Sequence, residues 1–374
     1  MTPETALILT IVLPLVGAVL VALTGRSPNL RETMTLITGV ALLAVVSTLI
    51  APVFNGATPE VVLANTLPGL SIALSIEPLG LLFALVAAPL WIVTSVYAIG
   101  YMRGHNEQNQ TRFFVAFAVA ISSTMGVAFA DNMFTLFLFY EALTISTYPL
   151  VTHAGTDKAR RGGRVYLGIL ISTSLLVQLL AIVWTYSVTG TLDFTQGGIF
   201  EESTPGWLIG VLYALFVFGI GKAALMPFHR WLPAAMVAPT PVSALLHAVA
   251  VVKTGVFAIT KIIVYIFGVD FLFATPSSGW LLYVAAFTII AASLVALRQT
   301  NIKRLLAYST IAQLSYVVMA AAILKPLAEV GAAIHMVAHA FGKITLVFAA
   351  GAIYVASKKT EIGQLRGIGR RMPW

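Results

Sequence analysis

The sequence predicts an all-α membrane protein that crosses the bilayer many times. Of its 374 residues, 59% are hydrophobic and only 10% are charged, and the mean hydropathy is +0.94. In soluble domains roughly a quarter of residues are charged. The apolar residues form windows of about 18 to 25, the length that an α-helix needs to cross hydrocarbon. About eleven transmembrane helices are therefore predicted, centred near residues 14, 43, 88, 121, 142, 176, 215, 254, 288, 312 and 342.

The first apolar window, residues 6–24, has no basic residue before it and follows the acidic Glu4. A cleavable signal peptide has a positively charged start and a shorter apolar stretch. We therefore expect this window to stay in the protein as the first transmembrane helix. The chain has no cysteine, which excludes disulfides and thiolate metal sites.

Basic residues are distributed unevenly among the predicted loops. Of the 22 Lys and Arg residues, seventeen lie in the loops after the odd-numbered helices and in the C-terminal tail, and one lies in the loops after the even-numbered helices. Lys and Arg collect on the cytoplasmic side of membrane proteins. The pattern predicts an outside N-terminus and a cytoplasmic tail, and it explains the net charge of +8 without nucleic acid.

The four remaining basic residues lie inside apolar windows. In hydrocarbon a charged side chain costs at least about 2.5 to 3.5 kcal/mol, so such residues face protein or water and are candidates for function. Lys261 is late in its window, and we expect it to reach the interface. Glu141 is an acid well inside a window, without a basic residue nearby on its own helix. The four lysines are Lys222, Lys253, Lys261 and Lys343.

Residues 219–255 contain two of these lysines and several prolines. Lys222 precedes Pro227 and Pro233, and Lys253 follows in the next apolar run. Proline interrupts helical hydrogen bonding, and freed backbone groups are tolerated at membrane depth only beside protein or a hydrated cavity. We therefore predict a broken helix that lines an ion path.

Two interpretations of Glu141 and Lys222 follow from the residues. They can form a static buried ion pair, or Glu141 can approach and withdraw and so control whether Lys222 holds its proton. At an effective dielectric constant of about 20, charges about 6 Å apart interact by about 3 kcal/mol, which is enough to change proton occupancy. We favour the switch.

His335, His339 and Lys343 are spaced by four residues and share one helical face. They can form a ladder of proton-exchanging groups, and the alternative is a pair of hydrogen-bonded core histidines. A zinc site is disfavoured, because Met336 stands where a zinc peptidase carries Glu and no third ligand is evident. We expect no metal and no cofactor.

Long segments resemble the antiporter-like subunits shared by respiratory complex I and Mrp-type multisubunit Na⁺/H⁺ antiporters. The resemblance runs from about residue 75 to the end, and the tail is most similar to the D-type subunit of Mrp antiporters. The segments that carry it are GKAALMPFHRWLPAAMVAPTPVSALLHAVAVVKTG, the region of Tyr140 and Glu141, IKRLLAYSTIAQLSY, HMVAHAFGK and EIGQLRGIGRRMP.

The resemblance implies a fold of about fourteen helices with two inverted five-helix repeats. It divides the chain into an N-terminal three-helix segment (1–111), a complete first repeat with a broken helix 7 (112–267) and a partial second repeat (268–374). Because the family's second broken helix is not in the sequence, we expect a truncated or degenerate chain. The residues to which the resemblance gives a role in proton translocation are Glu141, Lys222, His247, Lys253, His335, His339 and Lys343.

Two residues depart from the family's pattern. Asn301 stands where an acidic residue often precedes the Lys-Arg-Leu-Leu-Ala-Tyr-Ser motif, and Tyr140 stands where Trp usually precedes the glutamate.

We expect a membrane subunit of a multisubunit monovalent cation/proton antiporter in the cell (inner) membrane, bound to other membrane subunits. One alternative is a proton-pumping subunit of complex I or of a membrane-bound hydrogenase, which would be part of a translocase. A further alternative is a non-transporting structural subunit or fragment. The residues do not distinguish Na⁺ from K⁺, and they do not give the stoichiometry.

Overall fold

The computed structural model describes residues 1–67, 70–246 and 250–372. Helices dominate it, and the predicted all-α membrane fold is confirmed. The helices are α1 (Pro3–Leu23), α2 (Pro28–Thr48), α3 (Ile50–Phe54), α4 (Pro78–Gly104), α5 (Gln110–Ala128), α6 (Met133–Val151), α7 (Asp157–Thr173), α8 (Leu179–Thr189), α9 (Gly206–Gly219), α10 (Trp231–Ala234), α11 (Thr240–Ala244), α12 (Val251–Ile262), α13 (Val269–Ala274), α14 (Trp280–Leu297), α15 (Ile302–Ala322), α16 (Pro326–Ser357) and α17 (Ile368–Arg371).

Within the described residues, nine helical segments are long and apolar enough to cross a membrane. They coincide with nine of the eleven predicted windows. The other two windows, near residues 215 and 254, contain the shorter helices α9, α11 and α12. These helices are short because the chain is interrupted where the prolines and glycines of residues 219–255 predicted a break.

Helix starts follow local sequence signals. Proline fits the first turn of a helix because it lacks the amide hydrogen that has no partner there. At the start of α6, Asn132 Oδ1 instead accepts a hydrogen bond of 2.8 Å from the amide of Thr135. The helices that begin with proline at this position are α1, α2, α4 and α16.

A two-stranded antiparallel hairpin, β1 (Glu60–Leu67) and β2 (Leu70–Ser75), lies between α3 and α4. The sequence analysis did not predict it. Backbone hydrogen bonds join β2 to the α5–α6 connection, from Ser75 N to Phe129 O (2.8 Å) and from Asp131 N to Ala73 O (3.1 Å). We call this end of the helix bundle the hairpin face. It consists of the hairpin and of residues 129–132, 190–205 and 268–279.

The helices are arranged from a buried centre to a lipid-exposed rim. In the apolar window of α5, 72% of residues are buried, against 28% in the segments that contain α2 and α14. The π-helical turns Ser174–Gln178, between α7 and α8, and Ile263–Phe267, after α12, interrupt helices close to this centre. The buried lysines therefore lie on or beside helices that are surrounded by protein.

Candidate ion-translocation site

The chain is irregular around Lys222. Helix α9 ends at Gly219, a single 3₁₀ turn spans Gly221–Ala223, and Ala224 adopts a left-handed conformation with φ of +56°. Lys222 and its neighbours are fully buried. Protein thus surrounds the broken backbone, as membrane-depth irregularity requires.

Two neighbouring helices pack tightly against this turn. A Cβ atom on Gly255 of α12 would lie 2.2 Å from the amide nitrogen of Ala223, and one on Gly221 would lie 2.3 Å from Thr173 Oγ1 of α7. Only glycine allows such close approach. The glycines therefore allow α12 and α7 to enclose Lys222.

The ammonium group of Lys222 contacts uncharged groups of α6. Its Nζ donates to the carbonyl oxygen of Tyr140 (2.7 Å) and to Thr144 Oγ1 (2.6 Å), and it lies 3.0 Å from the centroid of the Tyr140 ring. The backbone amide of Lys222 donates to the Tyr140 hydroxyl at 3.1 Å. The sequence analysis did not predict a contact between Tyr140 and Lys222, and it missed Thr144, which is one of several hydroxyl residues on α6.

Glu141 does not pair directly with Lys222. The ion pairs among the described residues do not include Glu141, and its Oε1 atom is buried without a hydrogen-bond partner in the described part of the chain. The static ion pair is therefore not formed here. Glu141 follows Tyr140 on α6, so it is next in sequence to a residue that contacts Lys222.

Lys253 connects the first and second halves of the site. It is fully buried on α12, and its Nζ lies 2.5 Å from Nδ1 of His339 on α16. These residues are 86 positions apart in the sequence. The resemblance assigned both of them to one proton path, and the fold brings their titratable atoms into contact.

The His335, His339 and Lys343 stripe lies on α16, as predicted. The rings of His335 and His339 stack with centroids 6.3 Å apart, whereas Lys343 Nζ donates to Ser309 Oγ of α15 at 3.0 Å. The stripe therefore contacts both α12 and α15.

The expectation for Lys261 is wrong. Instead of reaching the membrane interface it is fully buried, forms an ion pair of 2.7 Å with Glu77 and donates to the carbonyl oxygen of Ala130 at 2.6 Å. The loops of the hairpin face cover the end of the bundle here. The sequence analysis missed Glu77, which directly precedes the first residue of α4.

His247 was predicted as a site residue and lies outside the described residues. Among the described residues there is no group of three or more His, Cys, Asp and Glu side chains that could hold a metal ion.

Comparison with known proteins identifies the family of the chain. Residues 130–374 match the family described as NADH:quinone oxidoreductase/Mrp antiporter, transmembrane region. The chain belongs to this family. It is 32% identical over 311 residues to the A/B subunit of a probable K⁺/H⁺ antiporter of Rhizobium meliloti (strain 1021), and 27% identical over 327 residues to a putative antiporter subunit mnhA2 of Staphylococcus aureus. It is 29% identical over 384 residues to the L subunit of NADH-quinone oxidoreductase of Escherichia coli (strain K12).

These alignments include 82%, 81% and 98% of this family member, but only 30%, 39% and 60% of the respective relatives. The chain therefore spans between 30% and 60% of the length of these curated relatives. The similarity to the D-type Mrp subunit in particular stays a prediction.

Solved structures show the same fold. A chain of an archaeal membrane-bound sulfane sulfur reductase matches 97% of this antiporter-family chain with a TM-score of 0.85 and 25% identity, and the match covers 74% of that chain. A chain of the Mrp complex from Dietzia sp. DQ12-45-1b matches 93% with a TM-score of 0.77 and 27% identity, and 37% of that chain is covered.

Proposed function

We propose that the chain is a membrane subunit of a multisubunit monovalent cation/proton antiporter and that it conducts protons along a buried axis. The observation that carries the proposal is the Lys222 ammonium group, which is fully buried and held by uncharged oxygen atoms. Such a group can gain or lose a proton without breaking an ion pair. The proposed axis consists of Glu141, Lys222, Lys253, His339, His335 and Lys343, with His247 as a further member.

Glu141 is the proposed switch on Lys222. Its carboxylate is next in sequence to Tyr140, whose carbonyl and ring contact the ammonium, and it is not committed to an ion pair among the described residues. Movement of the carboxylate would change the Coulomb energy of the charged lysine by about 3 kcal/mol at about 6 Å. That change is large enough to load or unload a proton.

Lys253 and His339 are the proposed link to the second half of the chain. A lysine that contacts a histidine ring nitrogen can pass a proton when the histidine is neutral, because the ring nitrogen then accepts. The stacked ring of His335 and the Ser309-bound Lys343 continue the polar stripe on α16.

The proposal includes an orientation and partners. The loop bias of Lys and Arg supports an outside N-terminus and a cytoplasmic tail in the cell membrane. The segments 1–111, 112–267 and 268–374 are the proposed N-terminal unit and the first and second repeats. Partners are other membrane subunits, since the relatives are named as subunits of larger assemblies. The exchanged ion is a monovalent cation, Na⁺ or K⁺.

Exchange measured in vesicles that contain the assembled complex tests the proposal. Lys222→Ala and Glu141→Ala should abolish cation-dependent collapse of a pH gradient while the complex still assembles. Lys222→Arg should also fail, because arginine stays protonated. Lys158→Ala, at an exposed position in the first turn of α7, is the control and should keep the wild-type rate. Wild-type exchange in assembled Glu141→Ala complexes would contradict the proposal.

A second candidate is a proton-pumping subunit of a respiratory complex, favoured by the similarity to the L subunit of NADH-quinone oxidoreductase over 98% of this chain. Purification of the native complex distinguishes the two. Co-purified redox subunits, with proton movement driven by electron transfer and independent of added Na⁺ or K⁺, would favour this candidate.

A further inference from the structure

Gln178 is a buried amide that the proposed proton axis does not use. Its side chain is fully buried, and neither Oε1 nor Nε2 has a hydrogen-bond partner among the residues that the structure describes. An amide offers two donors and an acceptor oxygen. Buried polar groups are nearly always hydrogen-bonded to protein or ordered water, and in a membrane interior the cost of leaving them unpaired is larger. The described protein groups therefore leave the hydrogen-bonding capacity of this amide unused.

Gln178 lies beside the break that carries Lys222. It is the last residue of the π-helical turn Ser174–Gln178, and a Cβ atom on Gly219 would lie 2.5 Å from the backbone nitrogen of Gln178. Gly219 is the last residue of α9, three positions before Lys222. Single π-helical turns occur often at functional sites, and the C-terminal carbonyls of a helix carry partial negative charge. The backbone of Gln178 thus packs directly against the end of α9, three residues before Lys222.

Thr185 continues the same face of α8 towards the hairpin face. It is seven residues, or about 10 Å, beyond Gln178. It is also fully buried, and its Oγ1 atom has no hydrogen-bond partner in the described ranges. Most other buried threonines of the bundle donate to a carbonyl one turn earlier, as Thr124 does to Ala120. The small residue Ala181 lies between Gln178 and Thr185 on this face and is itself buried.

Glu141 supplies a third group at an intermediate depth. It lies on α6, which packs against α8, eight residues or about 12 Å from the start of α6 at the hairpin face. Its Oε1 atom is also buried without a hydrogen-bond partner in the part of the chain that is described. Three buried polar groups therefore lie between the hairpin face and the depth of Lys222.

We propose that Gln178 and Thr185 hold a file of water molecules that connects Glu141 and Lys222 with the hairpin face. Water is the ligand that fits these groups, because it is small and can both donate to the amide oxygen and carboxylate and accept from the amide nitrogen. The inference rests on the proposed function in so far as Lys222 is the proton carrier that the file serves. Gln178 and Thr185 are positioning residues for this water.

Cysteine labelling tests the file directly, since the chain has no cysteine of its own. Gln178→Cys and Thr185→Cys are introduced singly into the assembled complex in membrane vesicles and treated with a small, water-soluble methanethiosulfonate reagent. Only a thiolate reacts, and a thiolate forms where water reaches it. The matched control is Ser174→Cys, one turn from Gln178 and also fully buried, because the Ser174 hydroxyl already donates to Leu170 O at 2.9 Å.

We expect both test positions to react about a hundred times faster than Ser174→Cys, a ratio that corresponds to about 2.7 kcal/mol. Reaction at the control rate at both positions would overturn the inference. Thr185→Cys changes the side-chain volume little, so it decides the matter if Gln178→Cys fails to assemble. The labelling result and the transport result can be separated. Wild-type exchange in Lys222→Ala would refute the proposed function, whereas labelling of Gln178→Cys and Thr185→Cys would still show that water reaches these positions.

Discussion

The Nζ atom of Lys253 lies 2.5 Å from Nδ1 of His339, and this contact joins α12 to α16 across 86 residues of sequence. Both side chains are buried. Burial of an ammonium group in a bilayer is tolerated where a polar partner is supplied, and here the partner is itself able to exchange a proton. The contact therefore joins the part of the chain that carries Lys222 to the polar stripe on α16.

The first prediction is that Lys253 and His339 act as a unit. Lys253→Ala and His339→Ala should each slow cation/proton exchange by about ten- to a hundredfold, because the loss of a hydrogen bond to a charged group costs about 1.5 to 3 kcal/mol. The double variant should be no slower than the slower single variant, since contacting residues are not additive. Exchange rates in vesicles measure this. A double variant whose loss equals the product of the single losses would show that the contact is not used.

Hydropathy and proline placement predicted the helices and the break near Lys222 because both are local properties of the chain. The partners of Lys222 could not be predicted in the same way. Tyr140 and Thr144 approach it across 82 and 78 residues of sequence, and Gly255 of α12 packs against the backbone of the same turn. Contacts of this kind depend on how helices pack, which the spacing of apolar residues does not encode.

Lys261 shows a different limit of sequence reasoning. Its place late in an apolar window indicated an interface residue, because a long side chain near a helix end can reach water. The hairpin and residues 129–132 fold over this end of the bundle and bury it against Glu77. A loop sequence shows that a loop is polar, but it does not show that the loop covers a helix end.

The second prediction concerns the Lys261–Glu77 ion pair. Lys261→Met should destabilise the folded complex by about 3 to 5 kcal/mol, because it leaves the largely buried Glu77 carboxylate without its cation. The double variant Glu77→Gln/Lys261→Met should recover most of the loss. Thermal unfolding of the detergent-solubilised complex measures this, and Lys158→Met serves as the surface control. Equal destabilisation of the single and double variants would contradict the prediction.

The third prediction concerns Asp131, which lies between α5 and α6 at the hairpin face. Burial raises the pKa of Asp131, and the nearby Asp193 adds to the increase, although a hydrogen bond with Ser75 opposes it. The folded state therefore binds the Asp131 proton more tightly than the unfolded chain does. The contribution of Asp131 to the free energy of unfolding is thus most favourable at low pH and is lost as pH rises through the folded pKa.

It follows that Asp131→Asn should raise the Tm of the complex, relative to wild type, more at about pH 8 than at about pH 4.5. The comparison is made between variant and wild type at each pH, so that the titration of other carboxyl groups cancels. Asp157→Asn, which changes a carboxylate whose side chain is 89% exposed, should produce no such difference. A larger stabilisation by Asp131→Asn at the lower pH would contradict the sign of the effect.

The fourth prediction concerns Thr144, whose Oγ1 accepts from Lys222 Nζ at 2.6 Å. Thr144→Val keeps the shape of the side chain but removes the acceptor, so the buried ammonium retains only the Tyr140 carbonyl and ring among the contacts described. An unsatisfied buried donor costs about 1 to 3 kcal/mol, and more when it is charged. The variant should therefore destabilise the charged form of Lys222. Exchange should therefore slow by about ten- to a hundredfold.

Thr144→Ser restores the hydroxyl and should restore most of the exchange rate. The matched control is Thr124→Val on α5, because the Thr124 hydroxyl is equally buried but donates only to its own helix, to Ala120 O at 2.8 Å. If Thr124→Val slowed exchange as much as Thr144→Val, the effect would reflect packing rather than proton holding. Side-chain volume changes little in either valine variant. Recovery of exchange in Thr144→Ser, together with a wild-type exchange rate in Thr124→Val, would therefore assign the slower exchange of Thr144→Val to the missing oxygen atom that faces Lys222.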